Sequence, residues 1–160
     1  SCRIAAADVC EKYPDRRIVV VDSLAATLGQ GLLVYKAVQL KEAGKNLDEI
    51  AAWLEENKYH LVHNFTVDDL FHLHRGGRLS KTAAIVGTMI NLKPVLHVDD
   101  EGHLVMLSKV RGRKKSLIGL VDCMEKQLGD WKDKNDIIFI SHGDCPEDAQ
   151  FVADLIKERF

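Results

Sequence analysis

A short unbroken run of β-branched residues, Ile18–Val21 in RIVVVD, lies between two stretches of helical texture. A run of this kind, with no alternation of polar and apolar positions, suits a strand buried on both faces. Such strands belong to sheets that carry helices on each side. Ile137–Ile140 repeats the arrangement near the other end of the chain, ahead of Pro146, which occupies the favoured first position of a last helix reaching Arg159. The expected fold class is therefore α/β, with strands and helices alternating near both ends.

Residues 3–12 carry helix formers and stop at Pro14. The stretch after Asp22-Ser23 reads as an amphipathic helix through Leu32, Leu33, Tyr35, Val38 and Leu40, ended by Gly44. Asn46 with Glu49 has the spacing of a capping box for a second helix, Leu47 to about Glu56. Thr66 with Asp69 gives a further N-terminal signal for a short helix over Val67–His74, broken by Arg75-Gly76-Gly77-Arg78. Ser80 then opens an apolar helix, KTAAIVGTMIN. Lys93–Val98 and His103–Val110 read as strands around a turn at Asp99-Asp100-Glu101-Gly102. A helix from about Lys114 to Gly129 follows. The texture changes near residues 57–66, which divides the chain into an α/β portion over residues 1–60 and a hairpin-bearing domain over residues 61–160.

Charge narrows the function. Across 160 residues, 22 Lys and Arg oppose 24 Asp and Glu, so the net charge is -2 and a strand of nucleic acid is a poor overall partner. No apolar run approaches the roughly 20 residues that cross a bilayer. The four cysteines, Cys2, Cys10, Cys123 and Cys145, contain no CxxC pair, which argues against a zinc ribbon and fits reduced thiols in a cytoplasmic protein. Seven histidines include no HExxH. His72 and His74 lie two apart on an expected helix and His60 and His63 three apart on an expected strand, so neither pair chelates and no metal is expected. His142, past the Ile137–Ile140 run, occupies the strand end where ligands gather in α/β sheets.

Three segments carry possible chemistry, each beside a plainer role. Asp22-Ser23 through Gly29-Gln30-Gly31 follows a strand and opens a helix, where backbone amides favour an anion. It lacks a Walker ending and the third glycine of a dinucleotide loop, and Ser23 or Thr27 would serve equally as caps. Arg75-Gly76-Gly77-Arg78 places two guanidiniums on one turn, able to grip a carboxylate or phosphate or simply to be solvated at a helix end. Lys109–Lys115 is a basic run without interleaved aromatics, suited to an acidic protein surface better than to stacked bases. The apolar helix with Ile85, Val86, Met89 and Ile90 suits either core or the wall of an apolar slot. No Ser/His/Asp or Cys/His arrangement marks a hydrolase.

The order of the pieces, VVVDSLAATLGQGLLV, then FTVDDLFHLHRGGRLS, then the apolar helix, then NLKPVLHVDDEGHLVMLSKVRGRKKS, resembles the bacterial DegV family. The resemblance runs from about Ile4 to the last helix and is most specific from Phe65 to Lys115. It implies a long-chain fatty acid held between two α/β domains. In some members it implies a binding subunit that presents the acyl carboxylate to a separate ATP-using fatty acid kinase subunit, for phospholipid synthesis. It implies no catalytic residue and no cofactor. Arg75 corresponds to an arginine of the carboxylate's polar network, and Ile85, Val86, Met89 and Ile90 to the slot wall. Arg78 and Arg111 correspond to surface cations that meet the kinase. Asp22, Ser23, Gly29 and Gly31 match a strand-end motif that shapes the domain junction, with Thr27 where serine is common, and His142 matches a strand-end histidine motif. A Ser-Gly-Thr motif and a His-Thr-Gly-Pro-Gly segment of the family are not in the sequence. The chain is therefore expected to be the second half of a longer protein, the remainder of an N-terminal domain (1–60) and a C-terminal domain truncated at its end (61–160). The alternative is an α/β enzyme that seats a phosphate-bearing ligand on Asp22–Gly31.

Overall fold

A computed structural model describes residues 2–79 and 92–160. Helix α1 spans Cys2–Lys12, carries both Cys2 and Cys10, and buries none of its residues. Helix α2 spans Thr27–Glu42 and α3 spans Leu47–Asn57. The capping box is formed as its spacing requires. Asn46 Oδ1 accepts the amides of Asp48 and Glu49, both at 3.0 Å, and Glu49 Oε2 accepts the Asn46 amide at 2.9 Å. Gly44, at φ +86°, ends α2 while the Gly44 and Lys45 amides return to the carbonyls of Lys41 and Leu40. That is the Schellman closure, and it needs a residue free to enter the left-handed region.

The sheet has three antiparallel strands in the order β1-β2-β3: β1 at Asn64–Phe65, β2 at Leu92–Val98 and β3 at Leu104–Arg111. Asn64 faces His97 and Phe65 faces Leu96. The hairpin lies where the turn residues predict it. Asp99 Oδ1 accepts the amides of Glu101 at 3.0 Å and His103 at 2.8 Å, and Gly102 takes φ +81°. The ladder is not uniform: Val95 pairs with Ser108 but Leu96 pairs with Met106, which leaves Leu107 as the extra residue of a β-bulge.

Strand β2 is the centre of the packing. Val95 and Leu96 are adjacent, point to opposite faces, and are both 0% exposed. Leu96 joins Leu70 and Leu79 in one apolar cluster, flanked by Phe65, Val67, Leu73, Leu104 and Met106. On the other face, helix α5 (Arg113–Leu128) approaches so closely that a side chain at Gly119 would sit 3.0 Å from Val95 Cγ2. Helix α6 (Pro146–Arg159) packs on α5 through Leu117, Val121 and Val152. Arg159 bonds Asp122 at 2.6 Å across the same pair of helices.

Two expected strands are not formed as ladders. Residues 18–21 and 137–140 have no strand pairing among the described residues, and Ile18, Val19 and Ile138 are exposed. Their composition favours an extended backbone, but a strand also needs a neighbour, and the described residues supply none. The second segment is anchored by side chains instead. Phe139 meets Tyr35 of α2 edge to face at 5.6 Å, Asp136 accepts a bond from Lys36 at 3.0 Å, and Ile140 packs on the α5/α6 cluster. His60 and His63 likewise do not alternate on a strand. His60 belongs to a 3₁₀ turn over Lys58–His60, and His63 precedes β1. No described helix is long and apolar enough to cross a membrane.

Candidate functional site

The Arg75-Gly76-Gly77-Arg78 turn closes helix α4, Leu70–Arg75. Asp69, rather than Thr66, caps the helix, accepting the Phe71 amide at 2.8 Å; Thr66 Oγ1 bonds the Pro94 carbonyl at 2.6 Å and so ties the preceding loop to β2. The Gly77 and Arg78 amides return to the His74 and Leu73 carbonyls, with Gly77 at φ +71°, a second Schellman closure. His74 Nδ1 reaches the Leu79 carbonyl at 3.2 Å and draws the chain back toward the core. Only Gly77 of the two glycines takes a positive φ.

The closure leaves both guanidiniums outside. The Arg75 side chain is 66% exposed and lies 3.5 Å from Asp69 Oδ2, while Arg78 folds back to donate to the Gly76 carbonyl. An exposed pair of this kind holds its partner weakly, so Arg75 is free to exchange Asp69 for another carboxylate. Arg111 is exposed at the end of β3, opposite Leu92 in the ladder. The turn and Arg111 thus flank the two ends of residues 80–91. That segment includes Ser80, Ile85, Val86, Met89 and Ile90, and the expected apolar helix with its slot-lining positions lies outside the described residues.

The loop at Asp22–Gly31 uses its polar atoms on itself. Asp22 Oδ1 accepts the Leu24 amide at 3.2 Å, and Ser23 Oγ donates to the Ala25 carbonyl at 3.2 Å. Leu24 and Thr27 take φ +52° and +49°, and α2 begins after Ala26 with no side-chain cap, so neither Ser23 nor Thr27 serves as one. Gly29 is buried because the His63 ring covers it: an added Cβ would stand 2.7 Å from His63 Nδ1. The close approach that the glycine permits is therefore made by this histidine. Beside it, Ser23, Leu24, Lys58, Tyr59, His63 and Asp99 line a cleft with about 20 Å³ of free space, room for roughly one water molecule. Arg75 is not among the residues of this cleft.

The basic run does not form one face. Arg113 turns inward at the start of α5, bonding Asp148 through Nε at 2.7 Å, with Asp68 3.9 Å from Nη1 and Lys93 2.8 Å from Asp68. Lys114 lies over the Phe151 ring at 5.5 Å. The Lys93 ammonium, by hydrogen bond first, holds the Asp68 carboxyl below its ordinary range. His142 accepts the Cys145 amide at 3.1 Å, which shapes the entry to α6. Asp99, Glu101 and His103 gather on the hairpin turn, where Asp99 Oδ1 accepts the Glu101 and His103 amides. The sequence pattern gave no sign of the burial of His63 and His97, whose Nδ1 atoms are both buried without a hydrogen-bond partner among the described residues, nor of the inward turn of Arg113. Contacts between segments 34 to 35 residues apart leave no local spacing to detect.

The DegV family, whose description is that of uncharacterised proteins, matches residues 1–160. A DegV domain-containing protein of Clostridium perfringens is 51% identical over 160 residues, covering 100% of this chain and 54% of the relative. A stearic-acid-binding protein of Eubacterium ventriosum superposes with a TM-score of 0.85 at 27% identity, over 95% of this chain and 52% of that one. The Streptococcus pneumoniae Fatty Acid Kinase (Fak) B3 protein, loaded with linoleic acid, gives 0.84 at 25% identity, over 99% and 55%. The chain spans about half the length of the curated relatives it matches.

Proposed function

The chain belongs to the DegV family, and from that premise we propose that it forms part of a carrier that holds a long-chain fatty acid and presents the carboxylate to a separate fatty acid kinase subunit. The observation that carries this reading is the superposition, across 95% to 99% of the chain, on proteins described as holding stearic and linoleic acids. The chemistry is consistent with it. A C16–C18 tail gains about 0.8 kcal/mol for each CH₂ removed from water, while its carboxylate needs donors at the mouth. Arg75, weakly engaged by Asp69, is the proposed donor. Ile85, Val86, Met89 and Ile90 are the proposed wall, and Arg78 and Arg111 the proposed contacts for the kinase subunit. The division into residues 1–60 and 61–160 is part of the same reading, with the ligand between two domains. In it the protein is a carrier without a catalytic residue or cofactor, working in the cytoplasm.

The test is made on the polypeptide that carries this sequence as its cell makes it. Organic extraction and mass spectrometry of the purified protein should return long-chain fatty acid at close to one equivalent. Reproducible absence, together with failure to take up added C16–C18 acid, overturns the reading. The phosphate-binding enzyme keeps no specific support, because the Asp22 and Ser23 side chains are engaged within their own loop.

A further inference from the structure

The contact between Gly29 and His63 joins helix α2 to the segment that enters the sheet. His63 precedes β1, its carbonyl accepts the Val98 amide at 3.1 Å, and its ring covers Gly29. The ring lies 6.1 Å from that of Phe65. His97, on β2, is opposite Asn64. The Nδ1 atoms of both histidines are buried and have no hydrogen-bond partner among the described residues. A neutral imidazole with its proton on Nε2 tolerates this, because Nδ1 then carries only a lone pair. A protonated ring places an N–H donor against the Gly29 backbone with no protein acceptor among the described residues.

We propose that His63 forms an acid-sensitive latch between the first turn of α2 and the three-stranded sheet, closed while its ring is neutral. Charged and titratable groups border it from two other elements. Lys58 and Tyr59, from the 3₁₀ turn, and Asp99 and Asp100, from the hairpin turn, line the cleft that His63 borders. The Lys58 side chain is nearly buried and donates to Glu55. Asp99 is held by the Glu101 and His103 amides. The first turn of α2, Thr27 to Gln30, carries no charge. Among the described residues no carboxylate reaches His63 Nδ1 to stabilise a proton there. Desolvation first, and the charge of His97 second, lower the His63 pKa from its ordinary value.

The sign follows from linkage. A histidine whose pKa is lower in the folded state binds more protons when released, so the closed form is favoured above the ordinary value near 6.5 and loses ground as pH falls below it. Each such proton shifts the opening equilibrium by at most about tenfold per pH unit. This inference does not depend on the lipid reading, and its test needs no ligand.

Histidine resonances of the intact protein are followed by NMR from pH 8 to pH 5. His63 should titrate below the ordinary histidine value near 6.5, and the proton contacts between its ring and Gly29 should fade as it does so. In parallel, the unfolding equilibrium constant is measured across the same range. His63→Gln should flatten the rise expected below pH 6.5. The latch is refuted if His63 titrates at or above the ordinary histidine value, if the Gly29 contacts survive its protonation, or if a folded His63→Gln keeps the parent slope. Should His63→Gln not fold, the titration of the parent decides alone.

Discussion

Asp69 serves both ends of helix α4: one carboxylate oxygen accepts the Phe71 amide at 2.8 Å, and the other lies 3.5 Å from the guanidinium of Arg75, the last residue of the helix. A six-residue helix has little strength of its own, so its cap matters more than its propensity. Asp69→Ala should destabilise the protein by about 1 kcal/mol in urea unfolding. Asp69→Asn keeps an acceptor for the amide and should recover most of that loss while leaving Arg75 without its carboxylate. Equal loss in the two variants would mean that the ion pair, not the cap, holds the helix.

Gly77 and Gly29 are required for different reasons. At Gly77 the backbone is left-handed and nothing lies within 4 Å of an added Cβ, so Gly77→Ala should cost about 1 kcal/mol from backbone strain alone. At Gly29 the added atom meets the His63 ring, and Gly29→Ala should cost about 1–3 kcal/mol by overpacking. A double-mutant cycle separates the two: His63→Ala should relieve much of the Gly29→Ala loss and none of the Gly77→Ala loss.

Leu96 and Leu107 belong to neighbouring strands yet differ in their importance. Leu96 is wholly buried between Leu70 and Leu79, whereas Leu107 is the bulged residue and 42% exposed. Leu96→Ala should cost about 2–5 kcal/mol, and Leu107→Ala should remain within about 0.5 kcal/mol of the parent. Chemical denaturation of both variants provides the check.

Arg78 and Arg111 are exposed and form no ion pair among the described residues. If they meet the kinase subunit, Arg78→Ala and Arg111→Ala should each slow phosphorylation of carried fatty acid by about threefold to tenfold, more strongly at low salt, with lipid content intact. Unchanged turnover in both variants removes the docking role.

What could be read from the residues in order was governed by distance along the chain. The Asn46–Glu49 box, the Asp99–Gly102 turn and Pro146 at the head of the last helix are local arrangements, and each forms where its spacing places it. Ile18–Val21 and Ile137–Ile140 declare an extended backbone but not a neighbour, because pairing is a property of two segments. The Leu107 bulge is hidden for the same reason, since it exists only in the offset between two strands. Arg113 appeared as one cation of a basic run. Its inward turn depends on Asp148, 35 residues later. Of the candidate site, the Arg-Gly-Gly-Arg turn was legible because a helix end is written in adjacent residues, while the His63 cover over Gly29 was not.

The offset at Leu107 also bears on how the hairpin keeps its alignment. Val95 and Leu96 supply different compartments, one beneath Gly119 and the other beside Leu70 and Leu79. Sliding β2 by one position would put Leu96 beneath Gly119 and bring the half-buried His97 into the interior beside Leu70 and Leu79. The surplus residue takes up the local mismatch without propagating it along the strands. Length changes near Asp100 should therefore be absorbed by the turn, whereas an insertion between Pro94 and His97 would unseat both interiors at once.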